Sequence, residues 1–492
     1  MDPMSSPGAR VTADEDRVSF GAKLAYGVGA FVNNMLAAAM GGMAIVLNLG
    51  LGMNPSLVGW LGALPRLTDA ITDPLMGYIS DNAHTRWGRR RPFIFVGAIL
   101  SAITFVILWQ IPADASETVQ FTWFLVGSLV FYLGYTCFAT PWVALGYELT
   151  PDYYERTRLM GVQNFVGQLA YVVAPWFLWI MQHDFWDGDM ITGARGLAVV
   201  IAVITVVLGI LPALLLKERY GGEALVISEI RGEAPTSPKP SLKESMADFF
   251  RGFGATVTCR PFALLCVATF LVFNGFILIS SFQSYVIIYY VFGGDTVAGG
   301  EWVGYSGSLG AVSTFLVIGI VTLTSGKMGK RHGFFLTTGI SVVGYVLKWF
   351  CYDPDLPWLL LLPAPLMAFG LGGLFTLMPS MIADVVDYDE LSSHQRREGM
   401  FGSIFWWVVK LGMAAALAMS GYLLNATGFD VALGADQTEA TILWLRLFDA
   451  GIPAVASIVA IAVVWRYQLT EERSHEVRAE LEQRRGQLSE ST

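Results

Sequence analysis

Charged residues are scarce in this sequence. They make up 14% of its 492 residues, whereas hydrophobic residues make up 54%. A soluble domain of average composition carries about 25% charged residues, so this balance excludes an ordinary soluble fold. The apolar residues are gathered into segments long enough for helices that cross a bilayer core of about 30 Å. The sequence therefore predicts an all-α polytopic membrane protein with twelve transmembrane helices.

Residues and motifs for metal binding and catalysis are also missing. The five histidines fall outside the apolar segments, and the four cysteines lack the spacing of a metal site. The sequence contains no Walker loop, H-E-x-x-H motif or G-x-S-x-G motif. These absences exclude ATP-driven transport and membrane-embedded hydrolysis. We therefore expect neither an enzyme nor a cofactor.

Successive loops differ in the sign of their charge. Loops after even-numbered segments are basic, as at Arg89, Arg90 and Arg91, and loops after odd-numbered segments are acidic, as at Asp114 and Glu117. Because basic loops stay in the cytoplasm, both termini are expected there, in a plasma membrane such as the bacterial inner membrane. The arginines lie in a short loop against the membrane, so we expect lipid contacts and no nucleic-acid partner.

The chain divides into two halves that carry similar loop motifs at equivalent positions. "WGRRRPFIFVG" follows the second apolar segment, and "SGKMGKRHGFF" follows the eighth. Such symmetry is typical of a duplicated bundle with a substrate site between its halves. The expected organisation is a cytoplasmic tail (1–21), a six-helix half (22–216), a cytoplasmic linker with a short amphipathic helix (217–260), a second six-helix half (261–467) and a cytoplasmic tail (468–492).

A few ionisable residues fall inside the apolar segments, where each costs several kcal/mol unless it lines water or has a partner. Asp69 and Asp73 are four residues apart and share a helix face, with Arg66 one turn earlier. Two adjacent carboxylates need a cation or a proton between them, which favours a coupling site for Na⁺ or H⁺. In the alternative, Arg66 and Lys410 neutralise the acids and merely lock helices together, although buried ion pairs stabilise less well than apolar packing.

Two other charged residues lie near the membrane surfaces, and we expect different roles for them. Asp81 lies beside the arginine cluster, where a salt bridge or gate is expected. Lys348 lies near the extracytoplasmic face and is expected to extend its ammonium to the surface.

Amides and indoles also occur at membrane depth. Such a set suits a polar, uncharged ligand such as a sugar, which offers hydroxyls to amides and a ring face to an indole. It is equally typical of interhelical hydrogen bonds and aromatic belts. The candidate substrate residues are Asn164, Gln168, Trp142, Asn274, Gln283 and Trp406.

Three stretches carry a resemblance to a known family. They are "DAITDPLMGYISDNAHTRWGRRRPF", "YTCFATPWVALGYELTPDYYERTRL" and "ADVVDYDE" followed by "RREGMFGSIFWWVVKLG". Together they resemble the glycoside-pentoside-hexuronide:cation symporters of the major facilitator superfamily, and this resemblance implies that fold. It further implies that Asp69 and Asp73 bind the cation with help from Thr136, and that Arg66 and Lys410 are linked to this site.

The sequence departs from the family at three sugar-binding positions. Leu24 and Ala139 stand where the family has aspartates, and Asn164 stands where it has an arginine. Galactoside specificity is therefore not implied. The expected function is Na⁺- or H⁺-coupled symport of a sugar, glycoside or sugar acid by a monomer working through alternating access. A cation-coupled carrier of a lysolipid or other amphiphile and a non-transporting membrane sensor are the alternatives.

Charges at the cytoplasmic ends of the helices are expected to form a gate. Ion pairs that close the cytoplasmic side would break when the two halves rock against each other. The expected gate residues are Asp81, Arg89, Arg90, Arg91, Asp384 and Asp387.

Overall fold

The computed structural model describes residues 16–218 except 84 and 151, residues 254 and 256, and residues 258–490 except 394–397. Regular structure in these residues is helical, and no strand occurs among them. They form thirteen helices of 19 residues or more. These are α1 (Phe20–Gly42), α2 (Pro55–Asn82), α3 (Arg91–Trp109), α4 (Glu117–Glu148), α5 (Tyr153–Val173), α6 (Met190–Gly209), α7 (Arg260–Val286), α8 (Thr296–Met328), α9 (Lys330–Cys351), α10 (Pro363–Ser393), α11 (Glu398–Ala426), α12 (Glu439–Trp465) and α13 (Glu471–Glu490).

Side-chain caps mark the beginnings of several helices. The Asn54 side chain accepts a hydrogen bond from the N–H of Ser56 at 2.9 Å, and Pro55 occupies the first position of α2. The Asp152 carboxylate accepts from the N–H of Glu155 at 2.7 Å at the start of α5. Each cap satisfies an N–H that has no partner within its helix, so the local sequence fixes where these helices begin.

Eleven helices of the described chain, α1 and α3 to α12, are long and apolar enough to cross a bilayer. This finding confirms a multi-pass membrane protein. The 28 residues of α2 span about 42 Å at 1.5 Å per residue, which exceeds a bilayer core of about 30 Å. Arg66, Asp69 and Asp73 nevertheless make α2 much less apolar than its neighbours. The count of twelve spans therefore stays a prediction, as does the cytoplasmic position of the termini.

The packing of the first six helices recurs in the next six. In the first half α1 packs on α5, α2 on α4, and α3 on both α4 and α6. In the second half α7 packs on α11, α8 on α10, and α9 on both α10 and α12. Each pair has its counterpart six helices later, as expected for a duplicated bundle. Residues 219–253 lie outside the described part, so the amphipathic helix expected in the linker stays a prediction.

The halves meet through α2 against α11 and through α5 against α8. We call the side with loops 110–116, 182–189, 352–356 and 427–438 the acidic-loop side, and the side with loops 83–90 and 329 the basic-loop side. One buried apolar cluster crosses both halves on the acidic-loop side, joining Tyr285 and Phe429 to Leu47. A second cluster contains only residues of the second half, including Val385 and Phe401 near the basic-loop side. Buried apolar packing between the halves is therefore concentrated on the acidic-loop side.

Candidate cation and substrate site

Two prolines flank the charged part of α2. Pro65 and Pro74 lie inside the helix, and a proline has no N–H to donate to the carbonyl four residues earlier. The carbonyl of Ala70 therefore lacks its helical donor, and Ala70 lies between Asp69 and Asp73 in the chain. The local sequence thus frees one carbonyl oxygen in the charged part of α2, and oxygen is the ligand type that hard cations prefer.

Asp73 lies between two hydroxyls of α4 and an ammonium of α11. The hydroxyls of Thr136 and Thr140 lie 3.1 and 3.5 Å from its Oδ1. Lys410 forms an ion pair with its Oδ2. The side chains of Asp73 and Lys410 are 32% and 35% exposed, so this bridge between the two halves is accessible to a small ion.

Asp69 is more deeply buried than Asp73, and its carboxylate has fewer polar partners. The residue is 4% exposed, and its nearest cation, Arg66 Nη1, lies 3.7 Å from its Oδ2. Its Oδ1 is buried and has no hydrogen-bond partner among the described residues. A buried acceptor without a donor costs about 1–3 kcal/mol, and more when it is charged. A bound cation or a proton would remove that cost, so the residues present fit either coupling ion.

Arg66 lies among aromatic side chains of α4. Its guanidinium carbon is 4.9 Å from the ring centroid of Tyr132, a cation–π distance. The hydroxyl of Tyr135, three residues further along α4, donates to Asn33 Oδ1 of α1 at 2.8 Å. These contacts fix the surroundings of Arg66 on three helices of the first half.

The predicted cation residues and their predicted charge partners therefore form one group, which we call the coupling cluster. It joins α2 and α4 of the first half to α11 of the second half. Its two cationic and two anionic side chains sum to zero charge. Its members are Arg66, Asp69, Asp73, Thr136 and Lys410.

Two predicted substrate residues lie on one face of α5. Asn164, Gln168 and Tyr171 follow each other at spacings of four and three residues, so they share that face. Tyr171 is the member of this face that lies near Arg66 of the coupling cluster. Asn164 is exposed and Gln168 is half-buried, and neither makes a hydrogen bond within the described chain. Both amides are therefore available to a ligand.

Two further predicted substrate residues lie beside α11. Asn274 of α7 is buried against α11, where a Cβ added to Gly412 would lie 2.5 Å from its Nδ2. Its Oδ1 is buried and has no partner in the described residues. Trp406 is exposed and lies one turn before Lys410 on the same face of α11. Both residues are thus placed on or against α11, the helix that carries Lys410.

The remaining two predicted substrate residues are held by protein groups. Trp142 is buried, donates from Nε1 to the carbonyl of Tyr26 at 3.2 Å, and stacks on that ring at 5.0 Å. Gln283 donates to Ser306 Oγ at 3.1 Å and accepts from Lys348 Nζ at 3.4 Å. The structure does not bring either one into contact with the coupling cluster.

The expectation that Lys348 extends to the membrane surface is wrong. Its ammonium lies 2.8 Å from Asp449 Oδ1, and the two side chains are 3% and 0% exposed. Sequence reasoning passed over Asp449, although an acid inside the apolar segment of α12 was itself a signal. The partner is 101 residues away, so no local spacing connects the two.

Two predicted gate residues of the first half, Asp81 and Arg90, pair with each other. Arg90 lies 2.8 Å from Asp81 and 2.9 Å from Glu148, and Arg89 also pairs with Glu148. Burial and the charge of Arg89 lower the pKa of Arg90. These ion pairs join loops and helices within one half.

Arg91 and Asp384 likewise have partners within their own halves. Arg91 donates from Nε to the carbonyl of Ala213 at 2.6 Å, within the first half. Asp384 of α10 lies 2.7 Å from Lys330 of α9, and Asp387 follows it one turn later. A gate formed by pairs between halves stays a prediction for another state of the cycle.

A further ion pair fastens the beginning of α1 to the beginning of α5. Lys23 Nζ lies 2.7 Å from Glu155 Oε1, which also accepts from the N–H of Val18 at 3.0 Å. Burial alone would raise the pKa of Glu155, but these hydrogen bonds outweigh burial and lower it.

Comparisons with known proteins agree with this architecture. The family described as MFS/sugar transport protein matches residues 25–471. The glucuronide carrier protein homolog of Escherichia coli strain K12 is 23% identical over 94% of this chain and 95% of that protein. The isoprimeverose transporter of Lactiplantibacillus pentosus is 23% identical over 82% of this chain and 81% of that protein. The crystal structure of a bacterial homolog of the human lysosomal transporter Spinster, inward-facing and unoccupied, has a TM-score of 0.67 at 16% identity and covers 90% of this chain and 96% of that one.

These matches test the expectations drawn from the sequence. The structural likeness confirms the major facilitator fold, and the family match confirms a transporter rather than an enzyme. The match extends through both halves and the linker, so it covers nearly all of the chain. The protein belongs to the MFS/sugar transport protein family.

Proposed function

We propose that this sugar transporter is driven by a cation that binds between Asp69 and Asp73. The observation that carries the proposal is the buried Oδ1 of Asp69, which has no partner in the described chain. The Asp73 carboxylate and the Thr136 hydroxyl would supply further oxygens around it. Na⁺ and H⁺ both fit this set.

Coupling follows from competition for Asp73. Lys410 of the second half is paired with Asp73 of the first half, so this ion pair connects the halves at membrane depth. A cation that binds Asp73 weakens its attraction for Lys410. The two halves are then freer to rearrange, and the ammonium becomes available to a substrate. A cation and a substrate that together stabilise one state more than either does alone are thermodynamically coupled.

The charge of the coupling cluster favours a sugar acid as the substrate. The empty cluster is neutral, so a bound monovalent cation leaves one positive charge at membrane depth. Uncompensated charge is costly there, and a carboxylate on the substrate removes it. Arg66 is suited to that carboxylate because a guanidinium can bind both of its oxygens. The amides of Asn164 and Gln168 would then bind the sugar hydroxyls.

The names of two relatives support a sugar cargo, since one is a glucuronide carrier homolog and the other an isoprimeverose transporter. A cation-coupled carrier of lysolipids on the same fold is the alternative. It uses the same coupling cluster and differs in the ligand that the region beside α5 and α11 accepts.

Uptake by reconstituted vesicles tests the proposal. An inward Na⁺ or H⁺ gradient is imposed, and accumulation is compared for a glucuronide, for the glucoside with the same aglycone, and for a lysophospholipid. We expect one gradient to concentrate the glucuronide, with little effect of membrane potential because one cation and one anion move together. Equal, potential-driven uptake of the glucoside would contradict the substrate class. Uptake that neither gradient drives would contradict the coupling, and selective lysophospholipid uptake would establish the alternative.

A further inference from the structure

A second buried charge pair lies outside the coupling cluster. Lys348 of α9 and Asp449 of α12 are 2.8 Å apart and almost fully buried. The Tyr352 hydroxyl donates to the other carboxylate oxygen, so both oxygens of Asp449 are satisfied. We call Lys348 and Asp449 the sealed pair. Buried ion pairs are poor stabilisers compared with apolar residues of similar volume, so stability alone is a weak reason for this one.

The sealed pair continues into a polar chain through α7 and α8. Lys348 Nζ donates to Gln283 Oε1 at 3.4 Å, and Gln283 Nε2 donates to Ser306 Oγ at 3.1 Å. The ammonium thus orients the Gln283 amide, with its oxygen toward the cation and its nitrogen toward α8. This orientation fixes the spacing between α7 and α8 at that level of the bundle.

The same level of α7 and α8 makes hydrogen bonds to the first half. Two residues beyond Gln283, the buried Tyr285 hydroxyl donates to Asn48 Oδ1 at 2.9 Å. Two residues beyond Ser306, Ser308 Oγ accepts from Trp176 Nε1 at 2.8 Å. Both bridges lie on the acidic-loop side, where the buried apolar cluster crosses the halves.

We propose that the sealed pair, acting through Gln283, positions the contacts that close the acidic-loop side. In this role Gln283 is a positioning residue and does not bind the sugar. Within the described chain, the hydrogen bonds and ion pairs of the sealed pair do not include a member of the coupling cluster. The proposal therefore holds whichever ion and sugar are carried.

Arg446 is a charged residue of the second half whose contacts do not lead to the bridges between the halves. It lies one turn before Asp449 on α12, with its guanidinium carbon 4.0 Å from the ring centroid of Tyr290 and 4.4 Å from that of Trp349. It also donates to the carbonyl of Trp349 at 3.0 Å. These contacts stay within the second half, whereas Gln283 and Ser306 each lie two residues from a residue that bridges to the first half.

A distance measurement between spin labels tests the proposal. Labels are placed on cysteines at the exposed positions Ser116 and Asp355, which lie in acidic-side loops of different halves, with the four native cysteines replaced. Gln283→Leu keeps the size of the side chain and removes its hydrogen bonds. We expect the ratio of long to short distances to rise about fivefold, the change that corresponds to one hydrogen bond of about 1 kcal/mol.

Gln120→Leu is the matched control. Gln120 is likewise a hydrogen-bonded glutamine on the acidic-loop side, but it donates to the carbonyls of Ala113 and Pro112 within the first half. We expect this variant to keep the wild-type distance distribution. Equal distributions in Gln283→Leu and Gln120→Leu would overturn the proposal.

A double variant distinguishes a loss of the positioning role from a general loss of stability. Lys348→Met with Asp449→Leu removes the sealed pair without leaving a lone buried charge, and a merely structural role predicts altered thermal stability with unchanged distances. We expect the long distances to increase as they do in Gln283→Leu. A folded double variant with the wild-type distribution would overturn the role of the pair.

Discussion

The coupling cluster and the sealed pair are both charge groups inside a membrane bundle, but they differ in how completely they are satisfied. In the sealed pair both oxygens of Asp449 have donors, and both side chains are buried. In the coupling cluster Asp69 has an oxygen without a partner, and the bridge from Asp73 to Lys410 is about one-third exposed. Charged groups that are accessible and lack some hydrogen-bond partners are suited to binding a ligand. Charged groups that are enclosed and have all their partners are suited to holding helices together.

The largest expected effect comes from removing the carboxylate charge at the bridge between the halves. Asp73→Asn should abolish concentrative uptake driven by the cation gradient and leave expression intact, because the amide cannot neutralise a bound cation. Asp81→Asn is the control, since Asp81 pairs with Arg90 in a loop contact and should change only the rate of exchange. Uptake assays in vesicles give both results. Full accumulation by Asp73→Asn would remove the basis for the cation site.

A stability measurement separates the two charge groups directly. Lys348→Met leaves a buried, unpaired Asp449 and should lower the free energy of unfolding by about 3–5 kcal/mol. Lys410→Met breaks a pair that is about one-third exposed and should cost less than Lys348→Met, because the remaining carboxylate is not enclosed. Thermal unfolding of both variants in detergent checks the order. The comparison fails if Lys410→Met is the more destabilising of the two.

A smaller effect is expected from a change of shape at constant charge. Arg66→Lys keeps the neutral sum of the coupling cluster but loses the planar fork that binds both oxygens of a carboxylate. The KM for a glucuronide should rise about tenfold, with a much smaller change for the matching glucoside. Equal changes in KM for the two sugars would show that Arg66 does not recognise the carboxylate.

The smallest expected effect lies at the edge of the membrane, in the ion pair of Lys23 with Glu155. The folded-state pKa of Glu155 is lowered, so its contribution to stability is present above the unfolded pKa of about 4.3 and is lost as the pH falls through the folded value. Glu155→Gln should lower the free energy of unfolding by about 1–2 kcal/mol at pH 7. The difference from wild type should shrink when the pH is lowered below about 4. A difference that is constant with pH would contradict this assignment.

Much of the architecture could be predicted from local sequence. Apolar segments and the alternation of loop charge indicated the helices, and the spacing of Asp69 and Asp73 placed both on one face of α2. The pairing of Asp73 with Lys410 joins residues 337 apart. From the residues alone it was only one of two alternatives, and the family resemblance was needed to link Lys410 to the cation site. The same charges that mark the site also make α2 less apolar, which is why this helix falls outside the eleven clear spans.

Helix packing decides what the sequence could not predict. Trp142 and Gln168 are both polar or aromatic residues in apolar segments, yet Trp142 stacks on Tyr26 inside the first half while Gln168 has no hydrogen bond in the described chain. Spacing along one helix gives the residues that share a face but not the helix that covers the face. The same limit hid the pairing of Lys348 with Asp449, which is formed by two helices that are distant in sequence.

Binding of a glucuronide to the purified transporter, with and without the coupling cation, tests the central claim most directly. If the cation raises the affinity for the sugar, linkage requires the sugar to raise the affinity for the cation by the same factor. We expect the cation to strengthen glucuronide binding to wild type and to have no effect on binding to Asp73→Asn. Cation-dependent binding that persists in Asp73→Asn would contradict the account.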